Sequence, residues 1–374
     1  MNSKVALLLL LFFISCGNED ELTDSSAPEI SVATDNKIYL PGEMATISVD
    51  VEAPGGLKEV KIGPTSITTF KDEISVNDII SEYRIPEDAL PGDHKVIVVA
   101  IDKQNPPKTD TAEAILNIGE KPCPNYDESE SLDGGWTMVF EEEFSSDLSK
   151  WDVWTGGAYN NELQHYQGDN LEINDGVLKI SAKKETVNGS TDPNNATTKE
   201  FNYTSGRIES KESFSANTGS PKVRMVAKIM WPNGHGLWPA FWSYGDPWPT
   251  QGEIDILEAR GNEPTEYHTN YFYGTQEGVN LVQNATGTIN ADTDLTACYH
   301  VYELIWEENK LTSYLDGKLV EVKTAGGYID ELFGKTQNIV LNLAVGGDYF
   351  NNLDPASIDE GVMFIDYVRV YTAE

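Results

Sequence analysis

Between residues 28 and 372 apolar side chains recur at every second position in short runs, and turn-forming residues separate the runs. Ile30-Ser31-Val32, Ala45-Thr46-Ile47-Ser48-Val49 and Val60-Lys61-Ile62 show the pattern early in the chain, and Lys179-Ile180-Ser181 and Lys310-Leu311-Thr312 continue it. A period of two sends successive side chains to opposite faces of a strand, and no long 3.6-residue periodicity competes with it. The chain is therefore expected to be all-β. A sheet with one apolar face must bury that face, so sheet must pack on sheet.

Two sandwiches are expected. Pro41-Gly42, Pro54-Gly55-Gly56 and Pro91-Gly92 divide residues 28–119 into about seven short strands, the pattern of a small immunoglobulin-like (PKD-like) β-sandwich. This segment holds no tryptophan and no acidic or histidine cluster, which favours a spacer or docking module over a carbohydrate-binding one. Residues 120–134, with Pro122-Cys123-Pro124 and Asp127-Glu128-Ser129-Glu130-Ser131, read as a stiff acidic linker. Residues 135–374 form the larger domain, whose many strands imply two broad sheets face to face, a jelly roll or related sandwich. A propeller is the rival, but no blade repeat is visible.

The N-terminus carries its own signal. Lys4, an apolar run over residues 5–14 and then Ser15-Cys16-Gly17 make residues 1–15 a secretory signal, too short to span a bilayer. Phe13-Ile14-Ser15-Cys16 resembles a bacterial lipobox, which implies a lipid anchor on Cys16 followed by an acidic tether over residues 16–27. The acidic residues after Cys16 also resemble a surface-export signal, so the expected location is the outer membrane, facing inward or outward. The other reading is an ordinary secreted protein. Of the two remaining cysteines, Cys123 and Cys298, pairing stays open.

A net charge of −35 excludes nucleic acid as a natural partner and makes a neutral polysaccharide easier to bind than a sulfated one. The chain is expected to act as a monomer. Eight Trp and seventeen Tyr suit sugar stacking and sandwich cores equally, so position must decide between them.

Position decides at Gly252-Glu253-Ile254-Asp255-Ile256-Leu257-Glu258. Alternation puts Glu253 and Asp255 on one strand face and Ile254 and Ile256 on the other. Glu258 has the wrong parity, and a one-residue bulge at Ile256-Leu257 restores it to the acidic face. With the bulge counted out, the two glutamates stand about 13 Å apart between Cα atoms at roughly 3.3 Å per residue. Side chains leaning inward bring their carboxyls towards the roughly 5–5.5 Å of a retaining glycosidase, not the wider gap of an inverting one. Crowded carboxyls cannot all ionise cheaply, so one holds a proton as acid while another stays ionised, with Asp255 between them to tune either. A solvated acidic edge does not explain three acids on a strand whose other side is apolar. A metal site lacks a histidine in the run.

Upstream, Trp238 and Trp242 flank small and turn-forming residues in Gly236-Leu237-Trp238-Pro239-Ala240-Phe241-Trp242, a place for indoles to meet pyranose rings or to fill the core. Trp154 with the polar run Asn160-Asn161-Glu162-Leu163-Gln164 offers hydrogen bonds to sugar hydroxyls, or is only a surface loop.

Taken together these pieces resemble glycoside hydrolase family 16, in its laminarinase (endo-β-1,3-glucanase) branch. The resemblance runs through Glu142-Glu143-Phe144 with Trp151, Asn161-Glu162-Leu163-Gln164, Ser205-Gly206-Arg207-Ile208-Glu209, the Trp238 and Trp242 segment and Glu253 to Glu258. It continues in Leu341-Asn342-Leu343-Ala344-Val345-Gly346-Gly347 and Phe364-Ile365-Asp366-Tyr367-Val368-Arg369. It implies a concanavalin-like jelly roll, retention by double displacement, Glu253 as nucleophile, Glu258 as acid/base and Asp255 as the assisting residue. It implies a substrate cleft with Trp154, Asn161, Glu162, Arg207, Trp238, Trp242 and His268, and no cofactor for the chemistry. It also implies a structural Ca2+ near Glu143 and Asp366.

One segment departs from the family pattern. Asn270-Tyr271-Phe272-Tyr273-Gly274 puts an aromatic where a histidine is common, with His268 slightly earlier, which leaves linkage preference open. Residues 183–202 read as a long loop that walls or lengthens the cleft. The rivals to β-1,3-glucan hydrolysis are mixed-linkage β-1,3-1,4-glucan and agar-type galactan on the same residues. Sulfated galactan is disfavoured because Arg207 and Arg260 are the only cations expected near Glu253. A non-catalytic glycan-binding lipoprotein is the rival from another class.

Overall fold

The structure, a computed structural model, describes residues 26–374 apart from 72, 87–88, 90, 120–121, 132–134, 325 and 351–352. The signal segment and Cys16 lie outside the described residues. The chain divides into two compact units between Pro122 and Cys123.

In the first unit Met44–Glu52 pairs with Glu29–Thr34 on one side and Ser75–Arg84 on the other. A second sheet runs in the order Ile38–Tyr39, Thr109–Ile118, Gly92–Asp102, Leu57–Ile62, Thr65–Ile67. Alternation closes the two sheets on each other. Ile47, Val49 and Val51 of the first meet Val60, Ile62, Val98 and Leu116 of the second in one core.

The second unit holds the larger sandwich. One sheet runs Trp151–Val153, Arg207–Phe214, Gln337–Val345, Leu237–Tyr244, Glu253–Glu258, Glu266–Phe272, Gly287–Asn290. The opposing sheet runs Leu171–Asn174, Val177–Ala182, Gly361–Ala373, Lys222–Met230, His300–Glu307, Lys310–Leu315, Lys318–Thr324, with Thr137–Glu142 also on Gly361–Ala373. Phe241, Ile254, Ile256, Leu257, Leu341 and Leu343 from the first share a core with Leu178, Ile180, Met225, Leu304, Trp306 and Met363 from the second. Each large side chain buried this way contributes about 1.5–3 kcal/mol. The fold is all-β and jelly-roll-like, and it leaves the other face of the first sheet free to carry a site.

Three features differ from the sequence expectation or complete it. Cys123 and Cys298 are joined in a disulfide. The acidic run beyond Cys123 is part of the second unit: Glu128 is fully buried and accepts hydrogen bonds from Arg369, Tyr367 and Tyr371. A buried carboxylate is tolerable only when paired, and its cation stands 241 residues away, where no local reading would find it. Residues 183–202 are not all loop, because Val187–Ser190 and Thr198–Phe201 form a hairpin.

The proposed calcium ligands are spent elsewhere. Glu143 binds the Arg369 guanidinium at 2.7 Å and Asp366 binds Lys228 at 2.7 Å. Among the described residues no three His, Cys, Asp or Glu side chains are grouped to hold a metal ion. A carboxylate neutralised by a lysine or arginine does not fit a Ca2+ site, which needs six to eight oxygens.

Candidate active site

Glu253–Glu258 lies between Leu237–Tyr244 and Glu266–Phe272, and its register breaks where its parity breaks. Phe241 pairs with Leu257 and Trp242 with Asp255, so Ile256 is the extra residue on that side. On the other side Asp255 pairs with Asn270 and Glu258 with His268, again one residue too many on the acidic strand. This bulge sends both Ile256 and Leu257 into the core, 1 % and 0 % exposed, and returns Glu258 to the face of Glu253 and Asp255.

The partners of Glu258 continue across the sheet as a row. Ala240, Asn342 and Arg207 follow on one side and His268 on the other. Trp154 joins the row at Arg207, to whose carbonyl its backbone N–H donates at 3.1 Å.

Each outer glutamate receives an indole N–H. Trp248 Nε1 donates to Glu253 Oε2 at 2.6 Å, and Trp238 Nε1 donates to Glu258 Oε1 at 3.0 Å. Asp255 is hydrogen-bonded to Glu258, and its Oδ2 is buried without a partner. Burial pushes Glu253 up to about 8, with the Glu258 charge adding to it, and burial pushes Glu258 up to about 7. Asp255 is held well above the usual carboxylate range by burial and then by the charges of Glu258 and Glu253. All three are thus held above the usual carboxylate range, and ionising one opposes ionising the others, which lets a single site divide acid and nucleophile roles. The order of Glu253 and Glu258 runs against attack by Glu253, whereas the hydrogen bonds favour it. The shorter donor contact sits on Glu253, and Asp255 is placed to pass its proton to Glu258. The hydrogen bonds distinguish the two carboxyls, whereas burial raises both.

The walls are aromatic. Trp154 lies under the buried Arg207 guanidinium at 4.1 Å, with the Trp242 ring at 5.0 Å from the same group. Trp242 Nε1 donates to Asn342 Oδ1 at 2.7 Å and its ring stacks on Tyr244. Trp238 stacks on Tyr349 with centroids 4.5 Å apart. His268 faces Glu258 in register and its Nδ1 is 2.5 Å from the Tyr349 hydroxyl. Burial and then Arg260 lower its basicity, so it is neutral near pH 7. Tyr271 and Tyr273 belong to the core, whereas Phe272 pairs with Glu253 beside Trp248 and His268 pairs with Glu258, so the aromatic that departs from the family pattern does stand on the acidic face.

Two of the expected sugar-binding residues are engaged with protein. Asn161 Nδ2 donates to the Asp348 carboxylate at 2.9 and 3.1 Å. Glu162 Oε2 accepts from Gln164 Nε2 at 2.6 Å and from Tyr166 at 3.1 Å, and burial raises its pKa. Sequence reasoning missed Trp248, Tyr349 and the Glu209–Tyr244 pair. Pro247 and Pro249 around Trp248 were the one local signal of a fixed indole.

Residues 159–367, more than half the chain, match the family model described as glycosyl hydrolases family 16. The chain belongs to glycosyl hydrolase family 16. It is 31% identical over 313 residues to glucan endo-1,3-beta-glucosidase A1 of Niallia circulans, covering 75% of this chain and 43% of that protein. It thus spans less than half the length of that relative. The glucan endo-1,3-beta-glucosidase of Cryptopygus antarcticus is 32% identical over 265 residues, covering 64% of this chain and 93% of its own length. The X-ray structure of the endo-beta-1,3-glucanase from Pyrococcus furiosus superposes with a TM-score of 0.54 at 33% identity, covering 64% of this chain and 96% of that one. For this family 16 chain the matched residues include the acidic strand, both indole donors and Arg207.

Proposed function

We propose that the protein is a retaining endo-glycosidase that cuts β-1,3-glucosidic linkages in laminarin-type glucan. The observation that carries this reading is the bulged strand, which gathers Glu253, Asp255 and Glu258 on one face and gives an indole donor to each outer glutamate. The Glu253 carboxylate attacks the anomeric carbon. Protonated Glu258 donates its proton to the departing glycosidic oxygen, so the C–O bond breaks as the glycosyl–Glu253 ester forms. Glu258, now ionised, takes a proton from water, whose oxygen displaces Glu253 with a second inversion, so the configuration is retained. Asp255 holds a proton beside Glu258, which makes Glu258 a stronger acid before transfer and a better-supported base after it. Charge develops in a largely water-free site, where such hydrogen bonds count for more.

Trp154, Trp238 and Trp242 offer rings to pyranose faces, and Arg207 and Asn342 lie on the same row. In the first unit, two sheets on one core support an immunoglobulin-like spacer, and the sequence around Cys16 supports a lipid anchor that places the enzyme at the outer membrane. No helix among the described residues is long and apolar enough to cross a membrane.

The test is product analysis on laminarin, mixed-linkage glucan, agarose and carrageenan, with the anomer followed by NMR. β-Anomeric oligosaccharides appearing first from laminarin are expected. Turnover confined to another glycan moves the specificity, first release of the α-anomer overturns retention, and binding without release of reducing ends overturns catalysis. Glu253→Gln should abolish turnover while leaving oligosaccharide binding.

A further inference from the structure

Beside the cleft, at the Glu253 end of the strands, lies a recess of about 410 Å3 whose lining includes Asp152, Glu209, Tyr244, Asp246, Gln251 and Asn338. We propose that this recess seats a single neutral hexosyl branch of the glucan being cut. The inference rests on the glucanase reading above.

Its position comes first. The row Trp154, Arg207, Asn342, Ala240, Glu258, His268 crosses the strands, and a chain lying against the aromatic walls follows it. The recess is displaced along the strands instead. Glu209 is two residues beyond Arg207, Asn338 four beyond Asn342 and Tyr244 four beyond Ala240, which is about 7 to 13 Å at roughly 3.3 Å per residue. Tyr244 and Asn338 are register partners, and Tyr244 is also the partner of Glu253, so the recess opens next to the carboxylate at the reaction centre. A sugar here lies on the Glu253 side of the row through Glu258, where a substituent of the main chain would project.

The recess also shares a wall with the cleft. Arg207 Nε and Nη2 donate to Glu209 Oε1 at 2.9 and 2.6 Å, and Tyr244 donates to the same carboxylate at 3.2 Å. Tyr244 stacks on Trp242. Group by group, the cleft and the recess are two sides of one partition.

Chemistry then selects the occupant. Asp152, Glu209 and Asp246 accept sugar hydroxyls, and the Gln251 amide both donates and accepts. Lys211 also lines the recess, 3.9 Å from Asp152, but three carboxylates against one lysine leave the lining acidic, which disfavours sulfate and uronate groups. Among the described residues no metal-holding cluster occurs, which removes a bare cation as the occupant. The lining is mainly polar, unsuited to an aliphatic ligand. The volume is near the lower end of small-molecule sites and suffices for a hexosyl ring.

The test compares two probes on the full chain: linear laminarihexaose and a β-1,3-glucan carrying single β-1,6-glucosyl branches. Asp152→Trp fills the mouth of the recess from an edge strand, where the side chain is 73% exposed, and Gln251→Ala removes an amide. Each variant is expected to lower kcat/KM about tenfold on the branched glucan, the equivalent of one lost hydrogen bond, and to leave the linear probe unchanged. Isothermal titration in the Glu253→Gln background should show a branched oligosaccharide binding more tightly than its linear core, with the advantage gone once Asp152→Trp is added. Equal loss on both probes, or an unchanged ratio together with no affinity advantage from the branch, overturns the branch site while leaving the glucanase reading intact. Failure of the parent protein to cut either probe overturns both.

Discussion

Trp248 provides the sharpest test of how Glu253, the proposed nucleophile, is held. Its indole N–H donates to Glu253 at 2.6 Å, within a site where Glu253 is otherwise raised by burial. Trp248→Phe keeps an aromatic ring and removes only the donor. A hydrogen bond to a charged group is worth about 1.5–3 kcal/mol, and the protonated carboxyl needs it much less. At 1.36 kcal/mol per tenfold, the ionised form loses about 10- to 100-fold in population, which moves the acid limb of kcat/KM up by about one to two pH units. The sign follows from the chemistry: removing a donor destabilises the carboxylate, so a higher pH is needed to ionise it. The measurement is the pH profile of reducing-end release from laminarin, with melting temperature as a folding control. Below the limb the variant should be roughly 10- to 100-fold slower, and well above it the rate should largely return. A uniform loss at all pH values with an unmoved limb would falsify the assignment of Trp248 to the ionised form of Glu253.

Other expectations can be checked by calorimetry or denaturant titration. Glu253 is raised above its ordinary 4.5 in the fold, so its contribution to stability is full below that value and is lost as pH rises towards about 8. Glu253→Gln, which cannot ionise, should therefore melt above the parent at pH 8, with the gap closing towards pH 4.5; a constant gap refutes the burial effect. Cys298→Ser opens a loop spanning 175 residues and should cost about 5 kcal/mol by chain entropy, read as a lower denaturant midpoint. Arg224→Ala leaves the buried Glu303 without its guanidinium and should cost about 3–5 kcal/mol, whereas Arg224→Ala with Glu303→Ala should recover part of that loss.

Much of this was legible because period-two patterns report strand faces directly. The broken parity of Glu258 required a bulge at Ile256-Leu257, and the register shift falls there. What stayed hidden depends on partners distant in sequence. Tyr349 reaches the Glu258 backbone across 91 residues, and nothing near it in the chain distinguishes it from any loop tyrosine. Glu128 reads as a linker charge until Arg369 and Tyr367 close around it. Glu143 and Asp366 stand out only through the family resemblance, and their pairing with Arg369 and Lys228 is not legible from sequence. The aromatic segment after the acidic strand keeps its departure from the family pattern, with Phe272 opposite Glu253 and His268, four residues earlier, opposite Glu258.

The bulge has a further consequence for how such a strand drifts and is tuned. By placing two consecutive aliphatic residues inward, it mounts Glu258, the proposed acid, on the interior of the protein, so that side chain is aimed from behind by Ile256 and Leu257 as much as by Trp238 in front. A methylene gained or lost at either residue is felt in close-packed surroundings and must be absorbed by the backbone that carries the acid. Aliphatic exchanges deep in the sandwich, touching no sugar, thus become a fine adjustment of turnover that leaves every cleft-lining side chain unchanged.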